Sequence, residues 1–144
     1  MAIKRLDHVN FVTHDPQETI TFYTEIIGLI LGDKLNIDTS NSLYFYILGS
    51  YIAILHIGNA KANKIQPKFK RFADLESEHQ GAFSTGAFDH FCLAVDIGDY
   101  ELFLKRFDAK EIDYQTYCHE DMTLKQIWLL DPNGVRVELN FIQD

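Results

Sequence analysis

Thiols are scarce in this 144-residue chain: Cys92 and Cys118 are its two cysteines, and no CxxC pair occurs. That excludes a disulfide framework and makes a reduced, cytoplasmic compartment the expectation. Long apolar runs are absent too. No stretch reaches the roughly 18 residues a membrane span needs, and the opening MAIKRLDHVNFV holds no apolar segment of signal-peptide length. Positive charge is short: 13 Lys and Arg stand against 21 Asp and Glu, a net charge of −8. A compact acidic domain is poorly suited to gripping a phosphate backbone, so neither nucleic acid nor membrane is an expected partner. What remains is ordinary globular chemistry, 47% hydrophobic and 24% charged, which excludes a disordered tail or a low-complexity rod. One domain over residues 1–144, large enough for a real core, is expected.

The pattern along the chain runs twice. Ile3 to Thr13 alternates as a strand, with Val9 and Phe11 on one face and His8 and Asn10 on the other. Asp15-Pro16-Gln17-Glu18 opens a helix: Asp15 can cap, and Pro16 suits the first turn. Ile20, Tyr23 and Ile27 form its apolar stripe, and Gly28 ends it. A weak strand near Leu31 to Ile37 follows, then Leu43 to Leu48 and Tyr51 to Ile57, joined at Gly49-Ser50 as a hairpin. In the second run, Ala87 to Val95 is a strand and Asp99 to Ala109 a helix carrying Tyr100, Phe103, Leu104 and Phe107. Tyr114 to Cys118 is a short strand. Lys125 to Leu130 and Val135 to Ile142 form a hairpin around Asp131-Pro132-Asn133-Gly134. Each half reads β-α-β-β-β.

The halves superpose in sequence with a shift of 82, since 90 − 8 = 82 and 138 − 56 = 82. His8 falls on His90, His56 on Glu138, and Leu43 to Leu48 on Lys125 to Leu130, without a gap. The chain thus divides into module one at about 1–58, a linker at about 59–85 and module two at about 86–144. The linker holds five of the basic residues, Lys61, Lys64, Lys68, Lys70 and Arg71, read as a solvated face. A short helix over Pro67 to Gln80, with Phe69 and Phe72 inward, is expected there.

Side-chain alternation decides which residues could do chemistry. In the last strand Val135, Val137, Leu139 and Phe141 share a face that should pack on the helix; Arg136, Glu138 and Asn140 share the other. His90, Cys92 and Ala94 oppose Asp89, Phe91, Leu93 and Val95. His56 shares a face with Ile52 and Ile54. Each half therefore offers one imidazole from its first strand and one donor, His56 or Glu138, from its last. Related by a pseudo-twofold axis, His8, His56, His90 and Glu138 would form one site of nitrogen and oxygen donors suited to a divalent Fe, Mn, Ni or Zn ion. Cys92 has no partner thiol, so sulfur ligation is not expected. His14 and His79 read as surface residues, and His119, beside Tyr117 at a strand end, as a candidate pocket residue.

At these residues the chain resembles the vicinal oxygen chelate superfamily, which includes glyoxalase I, bleomycin- and fosfomycin-resistance proteins, extradiol dioxygenases and methylmalonyl-CoA epimerase. LDHVNFVTHDPQETITFYTEIIGL and FDHFCLAV resemble the openings of its two modules, and QIWLLDPNGVRVELNF its closing hairpin. The resemblance implies an α+β fold of two tandem βαβββ modules forming an open, barrel-like cup around a metal. It implies His8, His90 and Glu138 as ligands, with His56, in AILHIG, at the fourth position, where glyoxalase I carries a carboxylate. The His-His-Glu set is similar to that of extradiol dioxygenases. The implied protein is a divalent-metal enzyme, Fe(II), Mn(II), Ni(II) or Zn(II), acting on a small oxygenated substrate. Dioxygenase and lyase or isomerase chemistry are its branches, with His56 and His119 as acid-base candidates and a homodimer as its assembly. The competing readings are a metal-free drug-binding resistance protein and a fosfomycin-type thiol transferase.

Overall fold

A computed structural model describes residues 5–32, 42–59, 88–119 and 124–143. These residues fall into two compact units, one before and one after the linker region. The first contains β1 (Val9–Thr13), α1 (Pro16–Thr21) continuing as a π-helical segment (Phe22–Ile27), β2 (Ile30–Leu31), β3 (Ser42–Tyr46) and β4 (Ala53–Asn59). The second contains β5 (His90–Asp96), a 3₁₀ turn (Ile97–Asp99), α2 (Tyr100–Ala109), β6 (Tyr114–Cys118), β7 (Lys125–Leu130) and β8 (Arg136–Ile142). The fold is α+β, two tandem modules of one plan. Each has a four-stranded mixed sheet, ordered β1-β4-β3-β2 and β5-β8-β7-β6. The first strand of each module pairs in parallel with the last, and the remaining pairs are antiparallel.

The helix signals act as the sequence predicts. Asp15 Oδ1 accepts the Glu18 N–H at 3.1 Å, and Pro16 occupies the first turn. Gly28 ends the helical run at φ 92°, the left-handed conformation open to a residue without Cβ. Ile20, Tyr23 and Ile27 are buried, with Tyr23 against Phe11, Phe22 and Phe45. In the second unit Phe103, Phe107 and Phe141 are buried. The Phe141 ring meets Tyr100 at 5.1 Å and Phe103 at 5.4 Å between centroids, so α2 packs on the face of β8 that carries the apolar residues.

Strand boundaries differ from expectation. β1 begins at Val9 and β5 at His90, so the Asp-His dipeptides sit at strand entrances rather than inside strands. Among the described residues both are edge strands; β5 starts level with the start of β8, His90 with Arg136, whereas β1 starts at Val9 opposite Leu55, two residues into β4. β8 begins at Arg136, because Val135 belongs to the turn: its N–H, like that of Asn133, donates to buried Asp131 Oδ1 at 2.8 Å. In the first hairpin β3 stops at Tyr46 and β4 starts at Ala53, with a register irregularity between Phe45 and Tyr46. Its turn includes Ser50 N–H donating to Ile47 O at 2.9 Å.

The strand register corrects the gapless repeat. Val9 pairs with Leu55 and Phe91 with Val137, and 91 − 9 and 137 − 55 both equal 82. Tyr44, however, faces His56 while Trp128 faces Glu138, and 128 − 44 = 84. The first and last strands keep one shift; β3 has slid by two residues relative to β7. The linker with its basic run and expected helix lies outside the described residues beyond Asn59, as does the expected second strand past Gly32.

Phe141→Ala removes the ring at the centre of the α2–β8 contact. A destabilisation of about 3–5 kcal/mol is expected, read as a lower urea midpoint with an unchanged slope.

Candidate metal centre

Parallel pairing of β5 with β8 places the carboxylate strand beside the imidazole strand. His90 Nε2 lies 2.9 Å from Glu138 Oε2, although the residue directly in register with Glu138 is Cys92. The other ring nitrogen, Nδ1, bonds Asp89 Oδ2 at 2.7 Å. The Arg136 guanidinium holds Asp89 in turn, 3.2 Å from Oδ1 and 3.3 Å from Oδ2. Glu138 is buried, 5% exposed, although it lies on the polar face of its strand. Its second oxygen, Oε1, accepts a hydrogen bond from Gln126 Nε2, which also donates to Asn140 Oδ1 at 2.9 Å. The Trp128 ring meets His90 edge-on at 4.8 Å.

The first unit repeats part of this pattern. His8 Nδ1 bonds Asp7 Oδ2 at 2.9 Å, and Arg5 lies 3.8 Å from Asp7 Oδ1. The His8 and His56 rings stack at 3.8 Å with planes 13° apart, and Tyr44 meets His56 edge-on at 4.8 Å. Burial, then the neighbouring His8, holds His56 below the ordinary imidazole range, against an opposing pull from Asp7. His56 is therefore neutral at pH 7, with a lone pair to offer. The hydrogen bond from His90 holds Asp89 below the usual carboxylate range, and that from His8 does the same for Asp7.

The structure thus brings the four sequence-predicted donors together as two pairs, one in each unit. Among the described residues no cluster of three or more metal-type side chains is gathered. Cys92 is not a thiolate: burial, then the Glu138 charge, pushes its thiol up to about 11. Within the second unit, His119 stands apart from the His90–Glu138 pair. It is exposed just past β6, its backbone N–H donating to Leu124 O at 2.9 Å. It lies four positions beyond Gln115, the β6 residue level with Trp128, roughly 13 Å along an extended chain. His14 is exposed after β1, and His79 lies outside the described residues.

Sequence reasoning missed Asp7, Asp89, Gln126, Tyr44 and Trp128. The signal for the first two was present, since Leu6-Asp7-His8 and Phe88-Asp89-His90 repeat as units. With Nδ1 fixed by a carboxylate, each first-strand imidazole presents Nε2, the arrangement common to metal-bound histidines. The donor set fits a divalent ion on two further counts. It is imidazole and carboxylate without thiolate, as borderline transition metals prefer. And 2.9 Å is the separation of two donors that bind one ion at about 2.1 Å and near right angles.

Comparison with known proteins supplies the family. The family model described as "Glyoxalase/Bleomycin resistance protein/Dioxygenase superfamily" matches residues 5–139, and the chain belongs to that superfamily. A protein of Bacillus subtilis (strain 168) named as a ring-cleaving dioxygenase, MhqE, is 43% identical over 47 residues. That stretch is 32% of this chain and 16% of the relative, well under two thirds of its length. Among solved structures, a glyoxalase/dioxygenase from Nostoc punctiforme aligns with a TM-score of 0.69 at 15% identity, over 98% of this chain and 92% of that one. The lactoylglutathione lyase of Agrobacterium tumefaciens aligns at 0.64 and 18% identity, over 98% and 96%. The fosfomycin resistance protein FosX of Listeria monocytogenes aligns at 0.66 and 14%, over 97% and 94%. At these identities the structures share the fold. No helix of the described residues is long and apolar enough to cross a membrane.

Asp89→Ala removes the acceptor that fixes His90. Its Nδ1 resonance in nitrogen-15 spectra is expected to move while that of His8 stays; an unmoved His90 signal would show that the ring is held by other contacts.

Proposed function

With membership of that superfamily as the premise, we propose that this protein is a divalent-metal-dependent enzyme acting on a small oxygenated molecule. Its ligand set is His8, His56, His90 and Glu138, and ring-cleaving dioxygenation is the first reaction to test. The observation that carries the reading is the His90–Glu138 pair, with Nε2 and Oε2 facing each other at 2.9 Å while Nδ1 and Oε1 are engaged elsewhere. Two such electron-rich atoms stay together only around a cation, a proton or a metal. Bound there, the ion supplies Lewis acidity, polarising substrate oxygens and stabilising the negative charge that develops on them.

The chain's own groups supply the rest. Asp7 and Asp89 orient the two imidazoles at the first-strand entrances, and the rings of Tyr44 and Trp128 stand T-shaped against His56 and His90. His56 stands where glyoxalase I has a carboxylate. Held neutral by burial and by His8, it is able to ligate or to take a proton from a substrate hydroxyl. Two histidines and one carboxylate, His8, His90 and Glu138, are the donor types of non-haem Fe(II) oxygenases. The partial likeness to a protein named as a ring-cleaving dioxygenase supports that branch over lyase or isomerase chemistry. A homodimer in the cytoplasm, with a small-molecule substrate, completes the proposal.

Elemental analysis of protein purified without chelator is expected to find one equivalent of divalent metal, lost in His90→Ala and Glu138→Ala. No metal, and no uptake of Fe(II), Mn(II), Ni(II) or Zn(II), would defeat the proposal. Protein loaded anaerobically with Fe(II) is then expected to consume O₂ when a catechol is added. Metal binding without O₂ uptake from any catechol would move the assignment to the lyase or isomerase branch.

A further inference from the structure

One side chain beside the centre does more than fill space. Gln126 on β7 pairs across the ladder with Asn140, and Glu138 is the next residue on the same face of β8. The single nitrogen of Gln126 donates to both, to Glu138 Oε1 and to Asn140 Oδ1. The chemistry fixes the orientation of each amide. An ionised carboxylate only accepts, so Gln126 must turn its NH₂ toward it, and Asn140 must then offer its oxygen. Glu138 is 5% exposed, so Oε1 exchanges this partner for water only at a cost. Oε2, the other oxygen, is the one that faces His90 Nε2.

We infer that Gln126 is a positioning residue that holds Glu138 to a single ligating oxygen. The inference rests on the reading above that Glu138 binds a metal. A carboxylate with both oxygens free can close on an ion bidentately and take up a second coordination position. With Oε1 engaged by Gln126, Glu138 contributes Oε2 alone, and that position stays open for substrate. The other repeat supports this. The equivalent cross-strand pair there is Ser42 opposite Gly58, which carries no amide. The donor at that level of the first unit is His56, an imidazole with one nitrogen to give, and it needs no such restraint. The clamp is found in the unit whose donor has two oxygens.

The test uses Co(II), which reports coordination through its visible absorption, with wild type and Gln126→Leu. Metal-induced infrared difference spectra of the same samples separate the two carboxylate modes, since the antisymmetric and symmetric stretches lie far apart when one oxygen binds and close together when both do. Wild type is expected to bind Co(II) with the wide separation. Gln126→Leu is expected to show the narrow one, a changed visible spectrum and an affinity weaker by about 10–100-fold. Should Gln126→Leu fail to fold by circular dichroism, Gln126→Met, unbranched and unable to donate, takes its place. A narrow separation in wild type overturns the inference, as does a variant that matches wild type in affinity and both spectra. Failure of wild type to bind Co(II) would instead strike at Glu138 as a ligand, and so at the functional reading on which the inference rests.

Discussion

The parallel pairing of the first and last strand of each module is the constraint on which the rest depends. Strands that run the same way cannot be joined by a tight turn; they need a crossover, and here the crossover is a helix and two further strands. The pairing therefore joins the two ends of a module. It sets the entrance of β5 beside β8, and so sets His90 against a carboxylate far from it in the chain. It does the same for β1 and β4, where the His8 and His56 rings lie face to face. The helical segments pack on the apolar faces, Tyr23 against Phe45 and Phe103 against Phe141, and these are the faces opposite the donors.

Within that frame each donor of the second unit has one end engaged and one end presented. Asp89 engages Nδ1 and Gln126 engages Oε1. Arg136 and Asn140 engage those two groups in turn, so the network is closed by residues of β8 itself. No buried side-chain nitrogen or oxygen among the described residues lacks a hydrogen-bond partner. A fully satisfied network of this kind is stiff, and stiffness is what a site with defined open positions requires.

Much of this was legible in the sequence because strand alternation is a strict rule. The faces assigned to His56 and Glu138 follow from period two alone, as does the burial of Val137, Leu139 and Phe141. The misses have physical causes as well. Asp89 was assigned to the face opposite His90, as alternation within a strand requires. The strand begins only at His90, so the preceding residue is free of that rule, and its carboxylate turns back to the neighbouring ring. The two-residue slide of β3 was invisible for a related reason: a shift of two returns every side chain to its own face, so the hydrophobic pattern does not record it. Gln126 gave no signal of its own, because its importance comes from a diagonal neighbour on another strand.

That slide carries a lesson about how a duplicated fold can diverge. A sheet built on alternation accepts length changes of two residues almost silently, since Phe45 stays in the core and Tyr44 stays beside His56. A slip of one with no bulge to absorb it would invert the strand, driving Tyr44 inward and Phe45 into solvent. Drift between the halves thus takes two forms: an even shift passes silently, and an odd one is absorbed by a bulge such as that between Phe45 and Tyr46, while the donor strands keep their alignment. An insertion beyond the last ladder pair, Tyr46 with Ala53, lengthens the loop and leaves the residues beneath it in place.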